Sequence, residues 1–190
     1  MDLDQMRQTI KGYLKESRYQ HSIGVEEASC DLAYIYGYDP EKAAIAAVLH
    51  DCAKHLSDEE LLKECEHYHL PVTKAEAQNV QLLHAKVGAA YAKDKFGVEN
   101  EEIINAIIYH TTGRPGMALL EKIIFTADYI EPNRKPLPRI DEIRQAAYER
   151  LDYAIYMISE NTLKYLASTD EVIDTLTNDT FEYYKAEIFK

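Results

Sequence analysis

The dipeptide His50-Asp51 closes the run AAIAAVLHDCAK, while His21, His84, His110 and Asp128 stand far from it along the chain. Two adjacent lone-pair side chains at the end of an alanine-rich helix suit a core poorly, because neither is cheaply buried without a partner. They suit a divalent metal well. Imidazole nitrogen and carboxylate oxygen both fit Fe, Mn and Zn, and a mixed donor set differs from the cysteine-rich sets of structural zinc. If the distant histidines and Asp128 converge on the pair, the chemistry is that of a metallohydrolase. Asp128 lies in IIFTADYIEP, a carboxylate in an otherwise apolar helix, and needs a metal or a cation there.

Cations accompany these residues. Positions three or four apart share a helix face. Arg18 is one turn before His21, and Lys54 is one turn after His50-Asp51, so with both segments helical two positive charges point at the same pocket. Arg134 follows Asp128 by about two turns' worth of chain. Two loops rich in Gly or Pro start just after candidate ligands, Thr111–Gly116 after His110 and Glu131–Pro138 after Asp128. Loops that carry Arg beside a metal suit anionic groups, and the whole set fits a phosphate ester or anhydride. The other histidines read differently: His67 and His69 in CEHYHL as solvated, and His55 as a residue of the pocket's outer edge at most. Cys52 is a small apolar filler, and Gly88 and Ala89 are close-packing residues.

The elements that must carry these residues are helical throughout. Leu3, Met6, Ile10 and Leu14 step by three and four over residues 2–17. A second helix runs from near Tyr19 to Gly37, and Asp39-Pro40 caps and opens the helix that carries His50. Ser57-Asp58-Glu59-Glu60 forms a capping box for a short helix ending about Tyr68. Pro71 and Thr73 precede a helix with Val80, Leu83, Val87 and Ala90 inward and Gly97 as its stop. Further helices cover roughly 100–111, 116–130, 139–167 and 169–188. The 139–167 helix places Ile140, Ile143, Ala147, Leu151, Ala154, Ile158 and Tyr165 on one face; Tyr153 and Tyr156 lie off it, which allows a homodimer. No segment alternates as a strand would, and the fold class is all-α.

A length of 190 residues fits one domain spanning the chain. Its motif-bearing core runs over about 18–134, and the helices of about 139–188 complete the bundle. Three cysteines without a CxxC predict neither a disulfide framework nor a four-cysteine zinc site. The polar start MDLDQMRQTIKGYLKES is no signal peptide, and no apolar run reaches bilayer length, so the expected location is the cytoplasm with no membrane partner. A net charge of −12 argues against a nucleic-acid surface and leaves a small anionic substrate to be drawn in locally by a metal, Arg and Lys.

The order His21, His50-Asp51, Asp128 resembles the ligand set of the HD-domain metal-dependent phosphohydrolases. RYQHSIGV (18–25), LHDCAK (49–54), LLHAKVGA (82–89), YHTTGRPGM (109–117) and TADYIEPNR (126–134) are together similar to the YqeK-type branch. Members of that branch are symmetrical diadenosine tetraphosphate (Ap4A) hydrolases of bacteria, and the similarity extends over about residues 1–188. It implies that His21, His50, Asp51 and Asp128 bind a metal, iron first, with Mn, Co or Zn as alternatives. His84 and His110 would complete a second metal site or contact the bridging phosphates, with one firmly held ion the preferred arrangement. Arg18, Lys54 and Arg134 would hold the polyphosphate. The reaction implied is Ap4A plus water giving two ADP, with Asp51 as ligand and orienting base and Lys54, His84 and His110 also in catalytic positions.

Other readings share these residues. An HD enzyme for a nucleoside monophosphate, a cyclic dinucleotide or an alarmone would use the same cluster. A non-catalytic nucleotide sensor and a helical interaction domain with structural histidines complete the range.

Overall fold

The computed structural model describes residues 1–169 and 172–190. Among them the regular elements are all helical: α1 Leu3–Tyr13, α2 Glu16–Tyr36, α3 Pro40–Leu49, α4 Asp58–His67, α5 Lys74–Gln78, a 3-10 turn Val80–Leu83, α6 His84–Asp94, α7 Glu101–Tyr109, α8 Leu119–Ile130, α9 Ile140–Glu149, α10 Leu151–Leu166 and α11 Thr175–Ile188. Local chemistry sets many of the ends. Asp39 accepts from the N–H groups of Glu41 and Lys42 ahead of Pro40, and Ser57 with Glu60 closes a reciprocal capping box. Gly37 ends α2 at φ +68°, a left-handed position that glycine adopts without strain.

Helices α2, α3, α7 and α8 form a ring in which each packs on the next, and α3 also touches α8 across it. Alanine makes that closeness possible: Ala43, Ala44, Ala46 and Ala47 are all buried on α3. Around the ring, α1 packs on α3, α6 on α7, α10 on α8, and both α9 and α11 on α10. Ile10, Leu32, Leu49, Ile107 and Ile123 are fully buried, each contributing about 1.5–3 kcal/mol by leaving water. The ends of α3, α7 and α8 and the first third of α2 meet at one side of the ring, where the polar residues gather.

Several elements differ from the sequence expectation. The segment 2–17 is interrupted where Leu14 turns extended and inward, so the next helix starts at Glu16 instead of near Tyr19. The helix expected between Thr73 and Gly97 is three pieces, with Asn79 at φ −127° between the first two, and Val80 and Ala90 are only half-buried. The expected 139–167 helix breaks at Arg150 (φ −150°, ψ 79°), and the helix expected from 116 begins at Leu119. In the last segment Asp170 and Glu171 lie outside the described residues, and the helix begins at Thr175. The buried stripe of α9 and α10 holds for Ile143, Ala147, Leu151, Ala154 and Ile158, whereas Tyr165 is 65% exposed. Tyr153 and Tyr156 are half-buried and stack on each other.

Candidate metal centre

Two of the candidate ligand histidines sit where α-helices stop. His50 is the C-cap of α3 and His110 the C-cap of α7, and His84 follows the 3-10 turn that leads into α6. Leaving the helix at His50 lets consecutive side chains face one pocket: Lys54 is not on a continued α-helix but on the turns that follow, its N–H bonded to the Asp51 carbonyl. The negative ends of α3 and α7 therefore point toward this region, which favours a cation.

The donors converge around Asp51. Its Oδ2 lies 3.4 Å from His50 Nε2 and 3.8 Å from His21 Nε2, and its Oδ1 lies 3.2 Å from His84 Nε2 and 3.7 Å from His110 Nε2. Asp128 Oδ1 is 2.9 Å from His21 Nε2 and 3.9 Å from His50 Nε2. Among the described residues two groups have metal-holding geometry, His21–His50–Asp51 and Asp51–His84–His110, with Asp51 in both.

The donor set fits a metal on its own geometry. His50 Nδ1 faces the Ala47 carbonyl at 2.6 Å, His110 Nδ1 the Ile107 carbonyl at 2.7 Å, and His84 Nδ1 the Gln81 carbonyl. A carbonyl only accepts, so the His50 and His110 rings carry their proton on Nδ1 and present a lone pair at Nε2. His21 does the same against Glu131 Oε1 at 3.1 Å. His84 Nδ1 also faces the donor-only Lys54 ammonium. The Nε2 atom of His50 is buried without a hydrogen-bond partner, the kind of orphan that a bound cation satisfies, and that of His21 has the Asp128 carboxylate 2.9 Å away.

With no metal bound, the same ring nitrogens can instead turn protons toward the carboxylates. Burial pushes the Asp51 carboxyl upward, but His50, His110 and His84 beside it outweigh burial and hold it well below the usual carboxylate range. Burial likewise opposes ionisation of Asp128, and His21, Arg134 and His50 overcome it, so its pKa also falls. Burial would lower His21, yet the Asp128 and Asp51 carboxylates raise it; burial dominates at His84 and lowers it.

All nine residues singled out in the sequence are brought together. Arg18 Nη1 donates to Asp51 Oδ2 at 2.8 Å, Arg134 Nη1 to Asp128 Oδ1 at 3.4 Å, and Lys54 Nζ lies 3.2 Å from His84 Nδ1. Burial lowers the Lys54 ammonium more than the nearby Asp51 restores it. The loop after His110 behaves otherwise than expected: Arg114 is held by both oxygens of buried Glu121, at 2.7 and 2.6 Å, and stacks on Tyr109. Thr111, with Oγ1 3.1 Å from His110 Nε2, is the loop's contribution to the centre. His67 and His69 are exposed as expected, and His55 is exposed beside Tyr13 rather than on the pocket's edge. Cys52 packs its thiol against the Gly88 carbonyl, consistent with a filler.

Sequence reasoning missed Glu131, which contacts His21 from the loop after α8. Its signal in the chain is a lone carboxylate between an apolar helix and Pro132. A cavity of about 560 Å³ opens beside the centre, reaching from His110, Thr111 and Asp128 past Arg134 and Tyr129 to Asn161. Its lining is mostly apolar, as sites that enclose a ring system are. Among the described residues no helix is long and apolar enough to cross a membrane.

Known proteins resemble this chain in sequence and fold. The family model for the HD domain matches residues 18–133. A protein of Halalkalibacterium halodurans named symmetrical bis(5'-nucleosyl)-tetraphosphatase is 44% identical over 179 residues, covering 89% of this chain and 90% of that one. One of the same name from Bacillus subtilis is 40% identical and covers 97% of this chain and 96% of its own. The crystal structure of a predicted HD superfamily hydrolase involved in NAD metabolism, from Clostridium acetobutylicum, superposes with a TM-score of 0.94 at 39% identity, covering 98% of both chains. The chain therefore belongs to the HD domain family, in the branch that includes the symmetrical bis(5'-nucleosyl)-tetraphosphatases.

Proposed function

We propose that the protein hydrolyses diadenosine tetraphosphate symmetrically to two ADP. The observation that carries this reading is the juxtaposition of one donor cluster, three cations and an apolar cavity: His21, His50, Asp51 and Asp128 beside Arg18, Lys54 and Arg134, opening onto the hollow that ends at Asn161. Names of relatives over almost the full chain support it. One domain spanning the chain, with a continuous core, would carry all of it.

His21, His50, Asp51 and Asp128 would hold the ion, with iron expected first and Mn, Co or Zn as alternatives. When bound, such a metal supplies Lewis acidity toward phosphoryl oxygen and lowers the pKa of water. Asp51 is ligand and orienting base in one, its carboxylate steered by Arg18. Water oxygen bonds to a phosphorus next to the central bridging oxygen, and the bond from that phosphorus to the bridge breaks. The departing ADP takes the electron pair, and Lys54 and Arg134 neutralise its charge while His84 and His110 hydrogen-bond the phosphates. The cavity would receive one nucleoside.

Chromatography of products from Ap4A and Gp4G by the metal-loaded protein tests the reading. ADP alone is the expected product of Ap4A; ATP plus AMP would refute the symmetrical cut. Turnover absent with Fe, Mn and Co all supplied would favour a nucleotide sensor instead. A second arrangement of the centre has its own support. His84 Nε2 and His110 Nε2 are 3.2 Å apart and both face Asp51 Oδ1. With the His110 Nδ1 proton committed to the Ile107 carbonyl, its Nε2 lone pair faces Asp51 Oδ1, and a second ion would relieve that repulsion. Metal quantification divides the two arrangements: one equivalent per chain supports His84 and His110 as substrate contacts, two equivalents support a bimetallic centre.

A further inference from the structure

Three of the four histidine rings are aimed by their own backbone, and His21 is not. His50, His84 and His110 each use the carbonyl three residues upstream, at Ala47, Gln81 and Ile107. His21 lies inside α2, where carbonyls are already engaged by the helix ladder. Its Nδ1 depends on Glu131.

Glu131 is built for that contact. It is 2% exposed. Its second oxygen accepts the Asn133 backbone N–H, and its own carbonyl accepts from Arg144 Nη2 and from the Arg134 N–H, both at 3.1 Å. The carboxylate is thus fixed at the side chain and at the backbone. Space for it comes from α2: a Cβ on residue 24 would stand 2.5 Å from Glu131 Oε2 and 3.1 Å from Asn133 Nδ2. A helix interior disfavours glycine more than any residue but proline, so Gly24 is explained by that close approach and not by the helix.

We propose that Glu131 is the positioning residue of the metal centre, holding His21 with its proton on Nδ1 and its Nε2 turned toward Asp51 and Asp128, and that Gly24 is the gap through which it reaches the ring. A carboxylate behind an imidazole also makes the ligand nitrogen more basic. The inference rests on the metal-centre reading and is independent of which nucleotide is cleaved.

The test uses the full chain, freed of metal, titrated with Mn²⁺ alone while free Mn²⁺ is read by electron paramagnetic resonance. Glu131→Gln should weaken Mn²⁺ binding about 10–100-fold, the usual effect of losing such a partner, with the helical far-UV spectrum retained. Gly24→Ala should also weaken binding. In a Glu131→Ala background Gly24→Ala should cost less than it does in wild type, because the methyl then meets Asn133 Nδ2 but no carboxylate, and the two changes are not additive. Should Glu131→Ala not fold, the Mn²⁺ titration is run on Glu131→Asp, whose shorter side chain no longer reaches His21 Nδ1 and should weaken binding likewise. Additive losses, or Glu131→Gln binding Mn²⁺ as tightly as wild type, overturn the assignment. Wild-type protein that takes up neither Mn²⁺ nor, under anaerobic conditions, Fe²⁺ overturns the metal-centre reading and this one with it.

Discussion

Replacing Asp51 by Asn tests the centre at the residue on which everything converges. The change is nearly isosteric, and Asp51 is 3% exposed, so packing is preserved while one of two carboxylates in the donor set loses its charge. Losing a partner behind a ligand costs about 10–100-fold in metal affinity, so altering a ligand that serves both clusters should cost at least about 100-fold. At a Mn²⁺ concentration 100 times the wild-type Kd, binding stabilises wild type by about 2.7 kcal/mol and such a variant by about 0.4 kcal/mol. For a chain of this size each kcal/mol moves Tm by about 2–4 °C, giving rises of about 5–11 °C and about 1–2 °C. Thermal melts with Mn²⁺ and with EDTA, beside metal quantification, read the difference directly. A variant whose Tm rises with Mn²⁺ as much as wild type would refute the placement of Asp51 as a ligand. A wild type indifferent to both Mn²⁺ and EDTA would point to structural histidines instead.

Lys54→Ala should keep its metal while kcat/KM for Ap4A falls about 10²–10³-fold, as for removal of a preorganised charge donor; metal loss in that variant would show that Lys54 supports the ligands instead. The metal-free protein should lose stability toward both ends of the pH range. His21 is raised above its ordinary 6.5, so its contribution is complete below that value and disappears as pH rises through the folded pKa. Asp51 and Asp128 are lowered below 3.8, so theirs is present above that value and disappears as pH falls through the folded pKa. Urea unfolding of EDTA-treated wild type beside His21→Gln across pH separates His21 from the opposite contributions of His84 and Lys54, and a stability difference between the two that grows above pH 6.5 would contradict the His21 assignment. Gly113→Ala should cost about 1–3 kcal/mol, because Gly113 has φ +64° and its added Cβ would fall 2.7 Å from Thr180 Cγ2 on α11; an unchanged Tm would deny that the His110 loop and α11 fit so tightly.

The parts of this protein that were legible in its sequence are those decided by neighbours in the chain. Asp39-Pro40 and the Ser57–Glu60 box cap helices through contacts two and three residues long, and the structure has both. The positions that converge on Asp51 stand out because lone-pair side chains in apolar helices demand partners. The break at Arg150 left no mark, since α9 and α10 bury their apolar residues in the same core and the stripe runs on across it. Arg114 looked available for phosphate because Glu121, which claims it, lies beyond the loop on the next helix. Glu131 and Gly24 meet only in three dimensions, and neither residue type alone suggests the other.

The carbonyls behind His50, His84 and His110 have a consequence for the order in which the molecule assembles. Each partner is three residues away, so those rings acquire their direction as soon as the local turn forms, before the helices find one another. Docking then has only to bring ready-made donors within reach, and little side-chain entropy is left to lose when an ion enters. His21 waits for a residue 110 positions downstream. In the proposed centre it would be the ligand whose orientation records that α2 and the chain after α8 have closed, and full metal affinity would then be a late event in folding.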